Sequence, residues 1–287
     1  MGLELLASYS NMTENCNEVM FRLLKHLEDK NAIGGFHLGT TVNSILDGTG
    51  TVIFSRDHGS FTGPYSLSCA HLSLKPQIFA TESNSTNFSL EVFRYKNKVP
   101  GGGWLLSKDR TDDIIVIVYV RDVSENLQAK VDRYISGKVF SSYWKKKYTT
   151  ALALADRMKT EDITEMDVVL LDRKSVIEGL SENGYPPHVL INEAKKVWKS
   201  GEKGKYPLVG FNRYDVQLSY NGRAPANQAE TVALSTNIGF TINSKWVVGR
   251  YVVHRNENGS VQIEELVPFH FDWINHGKGC MPWPYWK

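Results

Sequence analysis

The segment GFHLGTTVNSILDG, residues 35–48, contains the residue types of a nucleotide-binding corner. His37 is followed by Gly39, Thr40 and Thr41, and then by a pattern that predicts one short helix ended by Gly48. A glycine lets the backbone approach a ligand closely, and the histidine and threonine side chains supply hydrogen-bonding groups. The segment therefore raises two hypotheses, a nucleotide-binding corner and the ordinary start of a domain.

Two later fragments extend the first hypothesis. LSTN occupies residues 234–237 and QIEELVP occupies residues 262–268. With His37 they resemble, in the same order, the three motifs of ADP-ribosyltransferases. The resemblance implies that His37 holds nicotinamide and ribose, that Ser235 belongs to the Ser-Thr-Ser strand, and that Glu264 stabilises an oxocarbenium-like transition state. An ADP-ribosyltransferase-like enzyme is therefore one alternative.

A second catalytic pattern lies between Phe88 and Val120. A strand with Glu91, a Gly-Trp loop and a buried strand led by Asp113 resemble the core of PD-(D/E)xK nucleases. Such enzymes hold Mg²⁺ with an Asp and a Glu, and a Lys two residues after the Glu handles the attacking water. Phe93 stands at the lysine position. The alternatives are an active nuclease and a degenerate, non-catalytic version of its fold.

The cysteines and histidines show no spacing typical of a metal or cofactor site. Cys16, Cys69 and Cys280 form no CxxC pair, and the eight histidines form no HExxH or HxH motif. The chain also has no P-loop, GxGxxG or GxSxG motif. We therefore predict neither a metal nor a cofactor.

Aromatic and basic clusters favour a binding protein over an enzyme. In both catalytic patterns a central position differs, because Leu38 separates His37 from Gly39 and Phe93 replaces the lysine. Exposed aromatic side chains carry much of the energy of protein interfaces. We therefore predict a non-enzymatic protein-binding or assembly protein, for example a viral (phage) or mobile-element accessory factor that inhibits a host protein complex. The predicted binding residues are Tyr143, Trp144, Trp283, Tyr285 and Trp286.

The same clusters suggest further partners. Lys145–Lys147 within YWKKKY is a basic patch that could bind nucleic acid phosphates. Pro282 and Pro284 favour an extended tail, which must dock its aromatic rings in a groove of its own domain or of another subunit. We therefore expect a homo-oligomer with a protein partner.

Hydrophobic periodicity indicates the elements that position these residues. An apolar stripe predicts a first helix over 11–30, and seven consecutive apolar residues in 114–120 predict a central strand buried on both faces. Asn221–Gly222 predicts a tight hairpin turn. The predicted class is α+β, with a mixed domain over 1–148, a helical connector over 149–204 and a hairpin-rich domain over 205–287. The other predicted strands are 51–55, 77–81 and 88–95, and the other predicted helices are 125–135, 149–158, 173–180 and 187–199.

Composition and charge place the chain among ordinary globular proteins. Hydrophobic residues make up 41% of the 287 residues, charged residues make up 22%, and the net charge is +2. No apolar stretch reaches membrane-spanning length, and three scattered cysteines are typical of free thiols in a reducing compartment. We therefore expect a soluble cytoplasmic protein with no membrane partner.

Overall fold

The structure is a computed structural model that describes residues 2–38, 51–56, 67–78, 87–107, 112–202, 204–212, 215–224, 229–237 and 245–280. It contains helices together with strands that form mixed and antiparallel sheets, so the predicted α+β class is confirmed. The chain divides into two units. One contains residues 1–5, 85–111 and 172–247, and the other contains residues 6–84, 112–171 and 248–287. The predicted division into 1–148, 149–204 and 205–287 stays a prediction.

The second unit, called here the eight-strand unit, contains a mixed sheet. The strands are β1 (Gly35–His37), β2 (Thr51–Phe54), β3 (Leu67–Ile78), β6 (Ile114–Val123), β7 (Ile163–Asp172), β11 (Val247–Arg255), β12 (Val261–Val267) and β13 (Lys278–Cys280). Among the described residues the strand order is β1-β2-β3-β6-β7-β11-β12, and β13 pairs with β3. Strands β3 and β6 are parallel, whereas β11 and β12 form an antiparallel hairpin.

Three helices share one hydrophobic core with this sheet: α1 (Gly2–Asp29), α2 (Glu125–Ser136) and α3 (Tyr143–Arg157). Every second residue of β6, from Ile114 to Val120, belongs to this core, and the residues between them are also buried. The prediction of a central strand buried on both faces is confirmed. Helix α1 begins nine residues before the predicted Asn11, because no proline interrupts the helix-forming residues that precede it.

The first unit, called here the five-strand unit, contains an antiparallel sheet. The strands are β4 (Asn87–Lys96), β5 (Val99–Gly102), β8 (Lys205–Pro207), β9 (Val216–Ala224) and β10 (Ala229–Asn237). The helices are α4 (Arg173–Glu182) and α5 (Pro187–Ser200), close to the predicted 173–180 and 187–199. The described strand order is β5-β4-β10-β9-β8, and helix α5 contacts β4, β9 and β10.

Two local predictions differ from the structure. The Asn221–Gly222 pair lies inside β9 and forms no hairpin turn. The pairing shifts by one residue there, since Thr231 lies opposite Gly222 and Val232 lies opposite Tyr220, so Asn221 is the extra residue of a β-bulge. The region 149–204 also contains a strand that periodicity did not predict, β7, because its apolar run is too short to separate a strand from a helix.

Candidate functional site

Helices α2 and α3 enclose a groove of about 440 Å³ on the eight-strand unit. Helix α2 lines the groove with Gln128 and with the side chains four, seven and eight residues later. Helix α3 lines it with Tyr143 and with the side chains three, four and seven residues later. These spacings place the lining residues on one face of each helix. The lining residues are Gln128, Asp132, Ile135, Ser136, Lys138, Phe140, Tyr143, Lys146, Lys147 and Thr150.

The helix caps explain why the chain forms this groove. The Ser124 hydroxyl accepts a hydrogen bond from the Leu127 backbone N–H, and the Ser142 hydroxyl accepts one from that of Lys145. Serine side chains in these positions satisfy backbone donors at the first turn of a helix. The Ser142 cap starts α3 at Tyr143, six residues before the predicted start at Thr149. The basic patch Lys145–Lys147 is therefore helical, and two of its three lysines line the groove.

The groove is basic. Residues 125–158 contain seven Lys and Arg residues against three Asp and Glu residues. Three lysines line the groove with one carboxylate, and that carboxylate, Asp132, accepts a hydrogen bond from Gln128 Nε2 at 2.8 Å. No acidic residue lies in the first turn of α3, where the helix dipole adds positive potential. An anionic group is therefore favoured in the groove.

Large hydrophobic side chains surround the groove. Among the described residues, four of the nine exposed large hydrophobic side chains lie within 134–148, namely Tyr134, Val139, Tyr143 and Tyr148. Tyr143 is 61% exposed and Val139 is 98% exposed. Lys138 Nζ lies 4.1 Å and Arg157 Cζ lies 4.2 Å from the centre of the Tyr134 ring. The Tyr134 ring therefore packs against two cations, and the Tyr143 side chain lines the groove.

The predicted binding residues divide into two groups. Tyr143 is on the groove, while the side chain of Trp144 lies outside the described residues. Trp283, Tyr285 and Trp286 of the tail also lie outside the described residues. The groove therefore combines one predicted aromatic residue with two predicted lysines.

The ADP-ribosyltransferase candidates do not all converge. His37 lies on β1 and Glu264 on β12, which are the two ends of the described strand order. Five strands separate them, so their backbones are roughly 28 Å apart at the usual spacing of paired strands. Ser235 belongs to the five-strand unit, where it lies on β10 opposite Gln217 and Ser89. The structure does not bring His37 and Glu264 into one catalytic site.

The nuclease candidates belong to different units. Glu91 is half-buried on β4, and its carbonyl accepts a hydrogen bond from the Leu105 N–H at 2.8 Å. Asp113 accepts a hydrogen bond from the His71 N–H at 2.9 Å and forms an ion pair with Lys278 at 2.8 Å. Asp113 thereby holds the start of β6 against β3 and β13. No group of three His, Cys, Asp or Glu side chains suited to a metal occurs among the described residues.

Sequence reasoning missed an ionic cluster in the sheet. Asp167 on β7 accepts two hydrogen bonds from Arg250 on β11, at 3.1 and 2.8 Å, and one from Arg121 on β6, at 3.1 Å. The hydrogen bonds that Arg250 donates to Asp167 raise the pKa of Arg250, and burial raises the pKa of the adjacent Tyr119. The available signal was the presence of Arg121, Asp167 and Arg250 within three largely apolar strands.

The expectation of free thiols is wrong for Cys69, which is disulfide-bonded, whereas Cys16 is free and buried. The pairing of β3 with the distant strand β13 brings Cys69 beside Lys278, and sequence periodicity cannot reveal such a pairing. In the part of the chain that the structure describes, no helix is long and apolar enough to cross a membrane.

Comparisons with protein-family models, with curated proteins and with solved structures find no match to this chain. The groove is therefore interpreted from its own residues.

Proposed function

We propose that this protein is a non-enzymatic binding protein that docks an acidic, amphipathic segment of a protein partner in the α2–α3 groove. The observation that carries the proposal is the joint presence of Lys138, Lys146, Lys147 and Tyr143 on one concave surface. Lysines attract carboxylates, and an exposed tyrosine offers a large amphipathic contact at low cost in conformational entropy.

A protein segment fits the groove better than a nucleic acid does. Ile135 and Phe140 provide apolar lining that suits an aliphatic or aromatic side chain. Tyr134 already lies against two cations, so this ring is less suited to base stacking.

Other expectations from the sequence can be set beside this proposal. Homo-oligomerisation is one form of the proposed binding. An accessory factor that inhibits a host protein complex would also need such a surface, and that role stays a prediction. The enzymatic alternatives lack a comparable cluster, since His37 and Glu264 lie on opposite edges of one sheet.

Fluorescence anisotropy tests the proposal with three probes. The first is a short labelled peptide with glutamates on both sides of a Leu-Phe pair, the second is its version with lysines in place of the glutamates, and the third is single-stranded DNA. We expect the acidic peptide to bind. The double variant Lys146→Glu/Lys147→Glu should weaken its binding about tenfold or more, since each tenfold loss corresponds to about 1.4 kcal/mol.

The matched control is Lys195→Glu/Lys196→Glu on α5, which makes the same charge change at another adjacent pair. It should leave peptide binding unchanged. Tyr143→Ala should also weaken binding about tenfold. If the DNA binds through these lysines and the acidic peptide does not, the groove is a nucleic acid site and the proposal is overturned. Equal affinity of the Lys146→Glu/Lys147→Glu and Lys195→Glu/Lys196→Glu variants for the acidic peptide would overturn it as well.

A further inference from the structure

The eight-strand unit also carries an acidic surface, called here the acidic hairpin and defined as residues 256–277. It contains four acidic residues and no lysine or arginine. All four, Glu257, Glu264, Glu265 and Asp272, are exposed. One chain therefore presents both a basic groove and an acidic surface.

The end of the acidic hairpin is a turn that presents an apolar side chain. The Asp272 carboxylate accepts hydrogen bonds from the Asn275 N–H at 3.0 Å and from Asn275 Nδ2 at 2.8 Å. Phe271 is buried and packs edge-to-face with Trp273 at 5.1 Å between ring centroids. These contacts fix the turn, while Ile274 remains 77% exposed. The hydrogen bonds from Asn275 also lower the pKa of Asp272, which keeps the carboxylate charged near Ile274.

The acidic hairpin has the chemistry that the groove requires. Ile274 beside Asp272, and Leu266 after Glu264 and Glu265, each combine an exposed aliphatic side chain with carboxylates. The exposure of Ile274 also means that the turn does not fill the groove of its own chain.

Direct pairing of two β12 strands is a less favourable route to a dimer. Strand β12 is at the end of the described strand order, and exposed edges can pair with another chain. Glu264 is the middle residue of β12, so centred antiparallel pairing would place it opposite its own copy. Like charges in directly opposite positions destabilise a strand pair.

We propose that a second copy of this chain occupies the groove, with the Ile274 turn of one copy between α2 and α3 of the next. The Asp272 carboxylate, two residues before Ile274 in the same turn, then faces the lysines of the groove. This inference rests on the proposed function, because it names the partner of the same groove. The contact joins two different surfaces, so it extends into a ring or a chain of copies unless one surface is blocked.

Size-exclusion chromatography with light scattering tests this contact on the full chain. The wild type should form species heavier than the 32.4 kDa protomer, and their share should fall as ionic strength rises. The groove variant Lys146→Glu/Lys147→Glu and the turn variant Ile274→Asp should each be monomeric. Mixing the two should give a dimer of one copy of each, because the mixture keeps one intact groove and one intact turn.

Val209→Asp is the matched control for the turn variant, since Val209 is equally apolar, similarly exposed and located in the five-strand unit. It should leave the mass distribution unchanged. A monomeric wild type at all protein concentrations would overturn the inference, and so would a mixture of the two variants that stays monomeric. Loss of assembly only after deletion of residues 281–287 would move the contact to the tail and would also overturn it.

The peptide assay separates this inference from the proposed function. A monomeric protein that still binds the acidic peptide through Lys146 and Lys147 would retain the proposed function and lose only the self-association. A protein that fails to bind the peptide, but whose assembly depends on Ile274, would contradict the proposed docking of a separate partner.

Discussion

Asp167 holds together three neighbouring strands of the large sheet, so its replacement by asparagine should destabilise the protein strongly. Its carboxylate joins Arg121 on β6 and Arg250 on β11 to its own strand, β7. The Asp167 side chain is 5% exposed, and each arginine side chain is 19% exposed. The three charged groups therefore lie in a largely water-excluded environment.

The expected magnitude follows from the charge that remains. Asp167→Asn keeps the size of the side chain and one acceptor oxygen, but it removes the negative charge that the Arg121 and Arg250 guanidinium groups share. Breaking a buried ion pair by removing one partner costs roughly 3–5 kcal/mol. Because asparagine can still accept a hydrogen bond, we expect a loss of about 3 kcal/mol in the free energy of unfolding. For chains of this size that corresponds to a fall in Tm of roughly 6–12 °C.

Urea unfolding and thermal unfolding, followed by circular dichroism, would measure this loss. The matched control is Asp156→Asn, because Asp156 pairs with Arg157 at the surface, where the side chains are 55% and 34% exposed. That variant should cost less than about 1 kcal/mol. If the two variants lose equal stability, burial does not strengthen the Asp167 cluster and the reasoning is refuted.

Three further predictions concern the core and a glycine. Ile115→Asp should abolish soluble expression because Ile115 is fully buried, whereas Val139→Asp should express normally because Val139 is exposed; a soluble, cooperatively unfolding Ile115→Asp protein would contradict the buried position. Burial raises the pKa of Cys16 to about 12, so the native thiol should resist alkylation at pH 8. Since the folded pKa lies above the unfolded value near 9, Cys16 should lower stability as pH rises from about 9 towards 12, and Cys16→Ala should remove that part of the pH dependence in urea titrations. Gly103→Ala should lower Tm by several degrees, because a Cβ there would lie 2.5 Å from a backbone carbon of β4, whereas Gly101→Ala has open space and should leave Tm unchanged.

The sequence was most informative where a short pattern determines the structure. Seven apolar residues in β6 predicted a strand buried on both faces, and the helix predicted over 187–199 corresponds to α5, which has Pro187 in its first turn. It was least informative where distant strands pair. Nothing in the sequence near Cys69 indicates that β3 has β6 on one side and β2 and β13 as antiparallel partners.

The candidate groove was predictable only in part. Tyr143, Lys146 and Lys147 stood out by composition, because aromatic and basic residues are adjacent in YWKKKY. Asp132 and Ser136 did not, since they are ordinary polar residues of a helix until α3 packs beside α2. The groove arises from that packing, which periodicity within one helix cannot specify.

The lysines of α3 lead to a last prediction, in which binding and stability change in opposite directions. Lysines near a helix N-terminus interact unfavourably with the helix dipole, by about 0.3–1 kcal/mol each, and α3 has no acidic residue in its first turn. The helix dipole therefore disfavours Lys146 and Lys147, whereas the proposed acidic occupant of the groove would favour them. Lys146→Glu/Lys147→Glu should lose peptide binding and yet unfold at the wild-type Tm or roughly 1–3 °C above it. Calorimetry on both proteins would decide the matter, because a variant that lost stability together with binding would show these lysines to be structural.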